Sequence, residues 1–240
     1  MRVRVNGKIS AMLYRVLALL GAVLASALVS SGCANHDIID PVVDIPEQRS
    51  VVVVPFQDND FRNGFDSPRG CELATRVTKI LKEKAEFRVK PIDCVLALYN
   101  DQNPTALSAP EVAQKTGADY VLMGHVLKWQ LRDPNTIGLY RGSSVIELTL
   151  WESAESAKDR LKDDKVISDL PHSGPGYKAF VKQRVQALFP REYGMSDIGV
   201  SDMGMTEEQV DEGLVNSSAQ QCAWVLLAHT KDEDKLSQGK

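Results

Sequence analysis

The chain has 240 residues, 43% of them hydrophobic, and a formal net charge of -4 at pH 7. The length supports a sizeable core, while the acidic balance opposes nucleic-acid binding, which needs clustered Lys and Arg. Its four cysteines include no C-x-x-C pair and its four histidines no H-E-x-x-H spacing, so zinc-ribbon, thioredoxin and zincin chemistry have no support, and neither metal nor cofactor is expected.

Arg2, Arg4, Lys8 and Arg15 open the chain with no acid among them, and Val16 to Val29 follow as an almost wholly apolar run. A basic start, a short apolar stretch and the small residues Ser30, Ser31 and Gly32 describe a secretory signal over residues 1–32. The run is well short of the ~20 apolar residues that span a bilayer. Removing the signal takes away those four positive charges and moves the net charge from -4 to -8. Cys33 follows Gly32 directly. The stretch Val29-Ser-Ser-Gly-Cys33 resembles the lipobox of bacterial lipoproteins, and the resemblance implies that Cys33 is diacylated and becomes the mature N-terminus. The competing reading is an ordinary signal peptide with an incidental Cys. Ala34 in place of Asp after the Cys implies, by the same resemblance, the periplasmic face of the outer membrane.

Residues 33–49, with Pro41 and Pro46 among acids, read as a tether. The α/β domain is expected over residues 50–230. Val51 to Val54 is a β-branched run, apolar on both faces, and reads as a central strand ending at Pro55-Phe56. Gln57 to Asp66 is a polar loop carrying Phe61 and Phe65. Ser67-Pro68 supplies an N-cap and a first-turn Pro, and Leu73, Val77, Ile80 and Leu81 recur at helical spacing to about Lys84. Phe87 to Pro91 reads as a short strand, and Asp93 caps a short helix through Tyr99. Ser108-x-x-Glu111 has capping-box spacing, and its helix stops at Gly117. Asp119 to Leu131 is a long strand, in which Gly124 marks a bulge or a close backbone approach. Val145 to Trp151 alternates as its antiparallel partner.

Tyr177, Phe180, Val181, Val185, Leu188 and Phe189 have the spacing of an amphipathic helix. Thr206-x-x-Gln209 opens a short helix, Ala219 to His229 is the last packed helix, and residues 231–240 are a polar, disordered tail. The expected fold class is α/β: a mixed sheet with flanking helices and C-terminal helices packed on it.

Ser50-Val-Val-Val-Val-Pro-Phe56, the helix from Ser67 leading to Phe87-Arg-Val, and Val112 to Val126 with its Gly117-Ala-Asp119 resemble three segments of one superfamily. It comprises the curli-secretion CsgG family, the N-terminal domain of TolB, and the FlgO and LpoB-type lipoproteins. The likeness covers Ser50 to Trp151. It implies an anticodon-binding-like or TolB N-terminal-like fold and a non-enzymatic role in envelope assembly or scaffolding through protein partners. Pore-forming members carry long hairpins that insert as barrel strands of roughly 9–11 alternating residues. Here Tyr120 to Leu131 and Val145 to Trp151 come near that length and are read as strands of the domain's own sheet.

No constellation for catalysis stands out. His125 lies among apolar strand residues, and His36 lies beside Asp37 in the tether. His172-Ser173 with Asp163 and Asp164 lacks the G-x-S-x-G turn. Ser67 to Gly70 opens a helix after a strand, where α/β sheets bind anions, but an ordinary capped helix is the plainer reading. Two function classes therefore stand. One is a protein-contacting lipoprotein whose working surface includes Phe61 and Phe65. The other is a small-ligand or enzyme domain with a pocket beyond Phe56 and Pro91. Cys71 and Cys94 are expected at the same edge of a strand-helix-strand unit, close enough to bridge, which would leave Cys222 as a buried thiol.

Overall fold

The computed structural model describes residues 38–60, 67–100, 107–132, 140–153, 156, 177–190, 205–231 and 233. The elements in chain order are β1 (Ile38–Ile39), β2 (Ser50–Val53), β3 (Gln57–Asp58), α1 (Pro68–Lys84), β4 (Arg88–Val89) and α2 (Asp93–Asn100). They continue with α3 (Ala109–Thr116), β5 (Tyr120–Arg132), β6 (Tyr140–Ser153), β7 (Tyr177–Phe189), α4 (Glu207–Trp224) and β8 (His229–Thr230). A mixed α/β architecture results, as the order of elements implied.

The main sheet runs β4-β2-β5-β6-β7, with β3 extending β2's line and pairing with β5 farther along. β2 is parallel to β4 and β5, whereas β5, β6 and β7 form an antiparallel meander. Alternate residues of β2 serve two cores, which is why its run is apolar throughout. Val51 and Val53 join Leu73, Val77 and Leu81 of α1 and Val215, Ala219 and Cys222 of α4. Val52 and Val54 join Val95 of α2 and Val112 and Ala113 of α3. The chain leaves β2 for β4 on one side and returns past β2 to β5 on the other. Right-handed crossovers in opposite directions put α1 and the α2–α3 pair on opposite faces.

The local signals explain the helix ends. Ser67 Oγ accepts the Gly70 N–H at 3.1 Å, with Pro68 in the first turn. Glu111 accepts the Ser108 N–H at 2.8 Å, and Gly117 closes α3 with φ +62°, a left-handed conformation that suits glycine. Thr206 and Gln209 cap α4 reciprocally.

Four expectations are corrected. Residues 38–49 are part of the fold rather than tether. β1 pairs antiparallel with β8, Val43 donates to the Val225 carbonyl at 3.2 Å, and Val43 and Ile45 are buried in the main core. The acids and prolines around them hide two inward-facing apolar residues.

Residues 177–189 form β7, a strand and not a helix. The register with β6 passes from Leu150↔Val181 to Trp151↔Ala179, so Phe180 is the extra residue of a bulge. The bulge brings Phe180, Val181 and Val185 against the main core together. A strand with such a bulge counterfeits helical spacing.

The two C-terminal helices are one, the 18-residue α4. Its polar middle packs against the sheet. Ser217 and Ser218 are buried, Ser218 shares a hydrogen bond of 2.7 Å with Ser144 of β6, and a Cβ on Gly213 would meet the Phe189 ring at 2.2 Å.

Cys71, half-buried, and Cys94, exposed, are not bridged to each other. Cys71 rides on α1 and Cys94 on α2, which cover opposite faces of the sheet. A shared end of the strands is therefore not enough to bring the two thiols together, because the sheet itself stands between them.

Candidate functional site

Phe56 follows β2 and is fully buried between two glycines. Its N–H donates to the Gly70 carbonyl at 3.0 Å, and a Cβ on Gly70 would lie 2.0 Å from the Phe56 carbonyl oxygen. On the other side a Cβ on Gly124 would lie 2.4 Å from the Phe56 ring. Gly124 therefore marks a close approach, and the irregularities of the β5–β6 register fall beyond it, between Val126 and Lys128 and between Gln130 and Arg132. This packing locks the end of β2 to the first turn of α1 and to β5, and it aims β3 along β5.

β3 delivers Asp58, which is 1% exposed. One carboxylate oxygen accepts from Ser67 Oγ at 3.0 Å and from the Arg69 guanidinium at 3.0 Å, and the other accepts the Asp60 N–H at 3.1 Å. A buried carboxylate requires such pairing. Arg69 also reaches Asp60 at 3.3 Å and lies 4.8 Å over the Trp129 ring, a cation–π contact. The Trp129 indole N–H donates to Asp211 at 2.8 Å. The chain Asp58–Arg69–Trp129–Asp211 thus ties β3, α1, β5 and α4 together. Beside it His125 and the Asn59 side-chain oxygen are 2.7 Å apart. The imidazole faces an amide there, not a carboxylate. The arrangement holds a surface in shape, with Asp58 enclosed by its donors.

This network stands at the C-terminal edge of the parallel strands, where the sequence places its contact loop. Phe61 and Phe65 lie outside the described residues, as do Cys33, His36 and the His172 group. The described segment 57–60 leads into that loop from the fixed end of β3.

The opposite edge holds a second cluster, which sequence reasoning missed. Asp119, in the turn before β5, accepts from the Ser50 N–H at 2.9 Å, the Ser50 hydroxyl at 2.8 Å and Arg49 at 3.0 Å. Burial alone would raise the carboxyl, but these donors outweigh it and hold Asp119 below the usual aspartate range. The Gly-Ala-Asp signature thus has a physical role: its acid clamps the first residue of β2 to the start of β5. At the same edge a cavity of about 500 Å³ is lined by Asp40, Asp44, Ile45, Lys84, Phe87 and Leu226, among others. It lies away from the place beyond Phe56 and Pro91 where a ligand pocket was expected.

Among the described residues no group of three His, Cys, Asp or Glu is placed to hold a metal ion. No described helix is long and apolar enough to cross a membrane, a statement that leaves β-barrels untouched. β5, β6 and β7, of 13, 14 and 13 residues, are the long strands, and they pair in chain order within the domain's sheet.

No family model matches the chain, and no curated protein matches it. Among solved structures it is similar to a hypothetical protein from Chlamydia trachomatis, with 10% identity, 73% of this chain and 98% of that one covered, and a TM-score of 0.36. It is similar to a lipoprotein from Neisseria meningitidis, with 16% identity, 70% and 99% covered, and a TM-score of 0.38. It is also similar to the PelC dodecamer from Paraburkholderia phytofirmans, with 14% identity, 78% and 93% covered, and a TM-score of 0.39. At identities and scores this low, the likenesses bear no weight for function.

Proposed function

We propose that this chain is a bacterial extracytoplasmic lipoprotein, held at a membrane by lipid on Cys33, whose α/β domain works by contacting envelope proteins and not by catalysis. The observation that carries the reading is the N-terminal sequence: four basic residues, a short apolar run, then Ser-Gly-Cys33. Two acyl chains hold a protein stably at a bilayer, each buried CH₂ contributing about 0.8 kcal/mol. The domain's geometry supports the contact role. Its most elaborate polar network encloses a buried Asp58 and braces the base of a loop bearing two aromatic residues, as a presenting platform requires. The resemblance to envelope-assembly lipoproteins points the same way, and the periplasmic face of the outer membrane is the compartment it favours.

The test has two parts. Mass spectrometry of the mature protein should find a diacylated N-terminal Cys33, and Cys33→Ser should yield a soluble or unprocessed form; an unmodified Cys33 overturns the anchor. Crosslinking in the native envelope should then identify the partner. Phe61→Ala with Phe65→Ala should weaken its capture while leaving the fold intact. A folded double variant that captures the partner equally well rejects this loop as the working surface.

A further inference from the structure

We propose that the surface bearing Ile38 and Val42 rests directly on a zwitterionic lipid bilayer and so fixes which end of the domain faces the membrane. The proposal builds on the anchoring role of Cys33.

Five residue steps separate Cys33 from Ile38, and an extended chain covers at most about 3.6 Å per residue. A lipid on Cys33 therefore keeps Ile38 within about 18 Å of the acylated residue. Ile38 and Val42 are 67% and 56% exposed, the most exposed large hydrophobic residues among those described. The third, Leu188, is on β7. Isolated apolar residues on a surface are ordinary, but these two fall within nine positions of the lipid attachment point.

They are also held firmly. β1 is paired with β8 through Ile38↔Thr230 and Ile39↔His229, while the His229 ring stacks on Trp224 at 4.3 Å. Val43 and Ile45 are sunk in the core on either side of the exposed Asp44. The segment can therefore transmit an orientation to the whole domain instead of swinging freely.

Charge selects the kind of lipid. Asp40, Asp44 and Glu86 line the cavity at this end. The ammonium of Lys84, on the same cavity, is engaged by Glu233 at 2.8 Å. Such a surface is repelled by anionic headgroups and tolerated by headgroups that carry their own cation, with a reach set by the Debye length, about 8 Å at physiological salt.

Photo-crosslinking tests the proposal. Ile38→p-benzoylphenylalanine, Val42→p-benzoylphenylalanine and Leu188→p-benzoylphenylalanine would be made in the full lipid-bearing chain. Each would be reconstituted into phosphatidylcholine vesicles, irradiated and read by mass spectrometry. Positions 38 and 42 should give phospholipid adducts in several-fold higher yield than position 188. Yields at both should fall several-fold on phosphatidylglycerol vesicles at low salt. Equal yields at all three positions, in chains whose Cys33 is shown acylated, overturn the orientation. Undiminished yields on phosphatidylglycerol overturn the lipid assignment. An unacylated Cys33 in the same spectra overturns the anchor itself, so the two failures are distinguishable.

Discussion

Gly124→Ala should destabilise the domain through a single contact, and Phe56→Ala should abolish that penalty. The new methyl carbon would lie 2.4 to 2.6 Å from three atoms of the Phe56 ring. The ring is fully buried in the main core, so it can move aside only by displacing its neighbours. Overpacking of this kind costs about 1–3 kcal/mol. The usual gain from replacing a strand glycine, about 0.5–1 kcal/mol, offsets part of it. Phe56→Ala alone should cost about 3–5 kcal/mol through lost burial and the cavity left behind. In the double variant the methyl added at position 124 enters that cavity. The clash is gone, the backbone gain remains, and burial of one methyl adds about 0.8 kcal/mol. The double variant should therefore be about 1–2 kcal/mol more stable than Phe56→Ala, a reversal of sign for the same Gly124→Ala change. Urea unfolding of the mature chain followed by tryptophan fluorescence measures this, provided the slope is unchanged among the variants. A neutral Gly124→Ala, or the same cost with and without the ring, would refute the packing argument.

Asp119→Ala should cost about 2 kcal/mol by removing charge-assisted hydrogen bonds from Ser50 and Arg49. Because the folded protein holds this carboxyl below its ordinary value of 3.8, its contribution is present above that value and fades as pH falls through the folded one. The stability gap between wild type and variant, measured by urea melts across acid pH, should close with acidification; a constant gap would contradict the clamp. In thiol labelling, Cys94 should react quickly, Cys71 more slowly, and Cys222 only on unfolding, since burial pushes its thiol well above the ordinary range. A native protein in which Cys71 and Cys94 are both blocked would restore the bridge.

What can be read from sequence divides along a physical line. Helix termini announce themselves locally, because the groups that cap them are a few residues apart: Ser67-Pro68, Ser108 with Glu111, Gly117, and Thr206 with Gln209 all fall at observed boundaries. β2 is equally plain, since a strand buried on both faces is apolar without interruption, and β5 shows through the long apolar stretch of its first half, Tyr120 to Leu127, broken only at Gly124 and His125. The failures involve partners distant in the chain. β7 reads as helical because its bulge is defined only against β6, a separate strand upstream. The buried Ser217 and Ser218 fall in the gap between the two helices expected there, because Ser144, which bonds Ser218, is 74 residues away. Asp119 is visible in the sequence only as part of a motif. Its clamp on Ser50 is a contact across 69 residues, and no local pattern encodes it. The network of Asp58, Arg69, Trp129 and Asp211 escapes notice for the same reason.

The two ends of the parallel strands are built for different duties, and the fold explains why they are kept apart. Parallel strands point the same way, so every crossover helix returns the chain to the same edge. The N-terminal edge collects the entries to strands, Arg49-Ser50, Phe87 and Asp119, and Phe87 there shares a cavity with Asp40, which follows β1. Its ties join segments far apart in the chain, β1 to β8, Val43 to Val225 and Asp119 to Ser50, so a pull applied at Ile38 by the proposed lipid anchor would be spread over the domain. The C-terminal edge collects the exits, where loops can lengthen without disturbing strand pairing, and there the Asp58–Arg69 pair and Phe56 fix the root of one such loop. α4 runs along the sheet between the two. Glu207 in its first turn pairs with Arg132 at the far end of β5, and Val225 just past its last turn accepts from Val43 beside β1. If the lipid-facing surface is the β1 end, the loop carrying Phe61 and Phe65 is rooted at the edge turned from the membrane. A protein partner could then reach it without displacing lipid, and loss of the Ile38–Val42 contact should impair partner capture in vesicles while leaving capture by a detergent-solubilised chain unchanged.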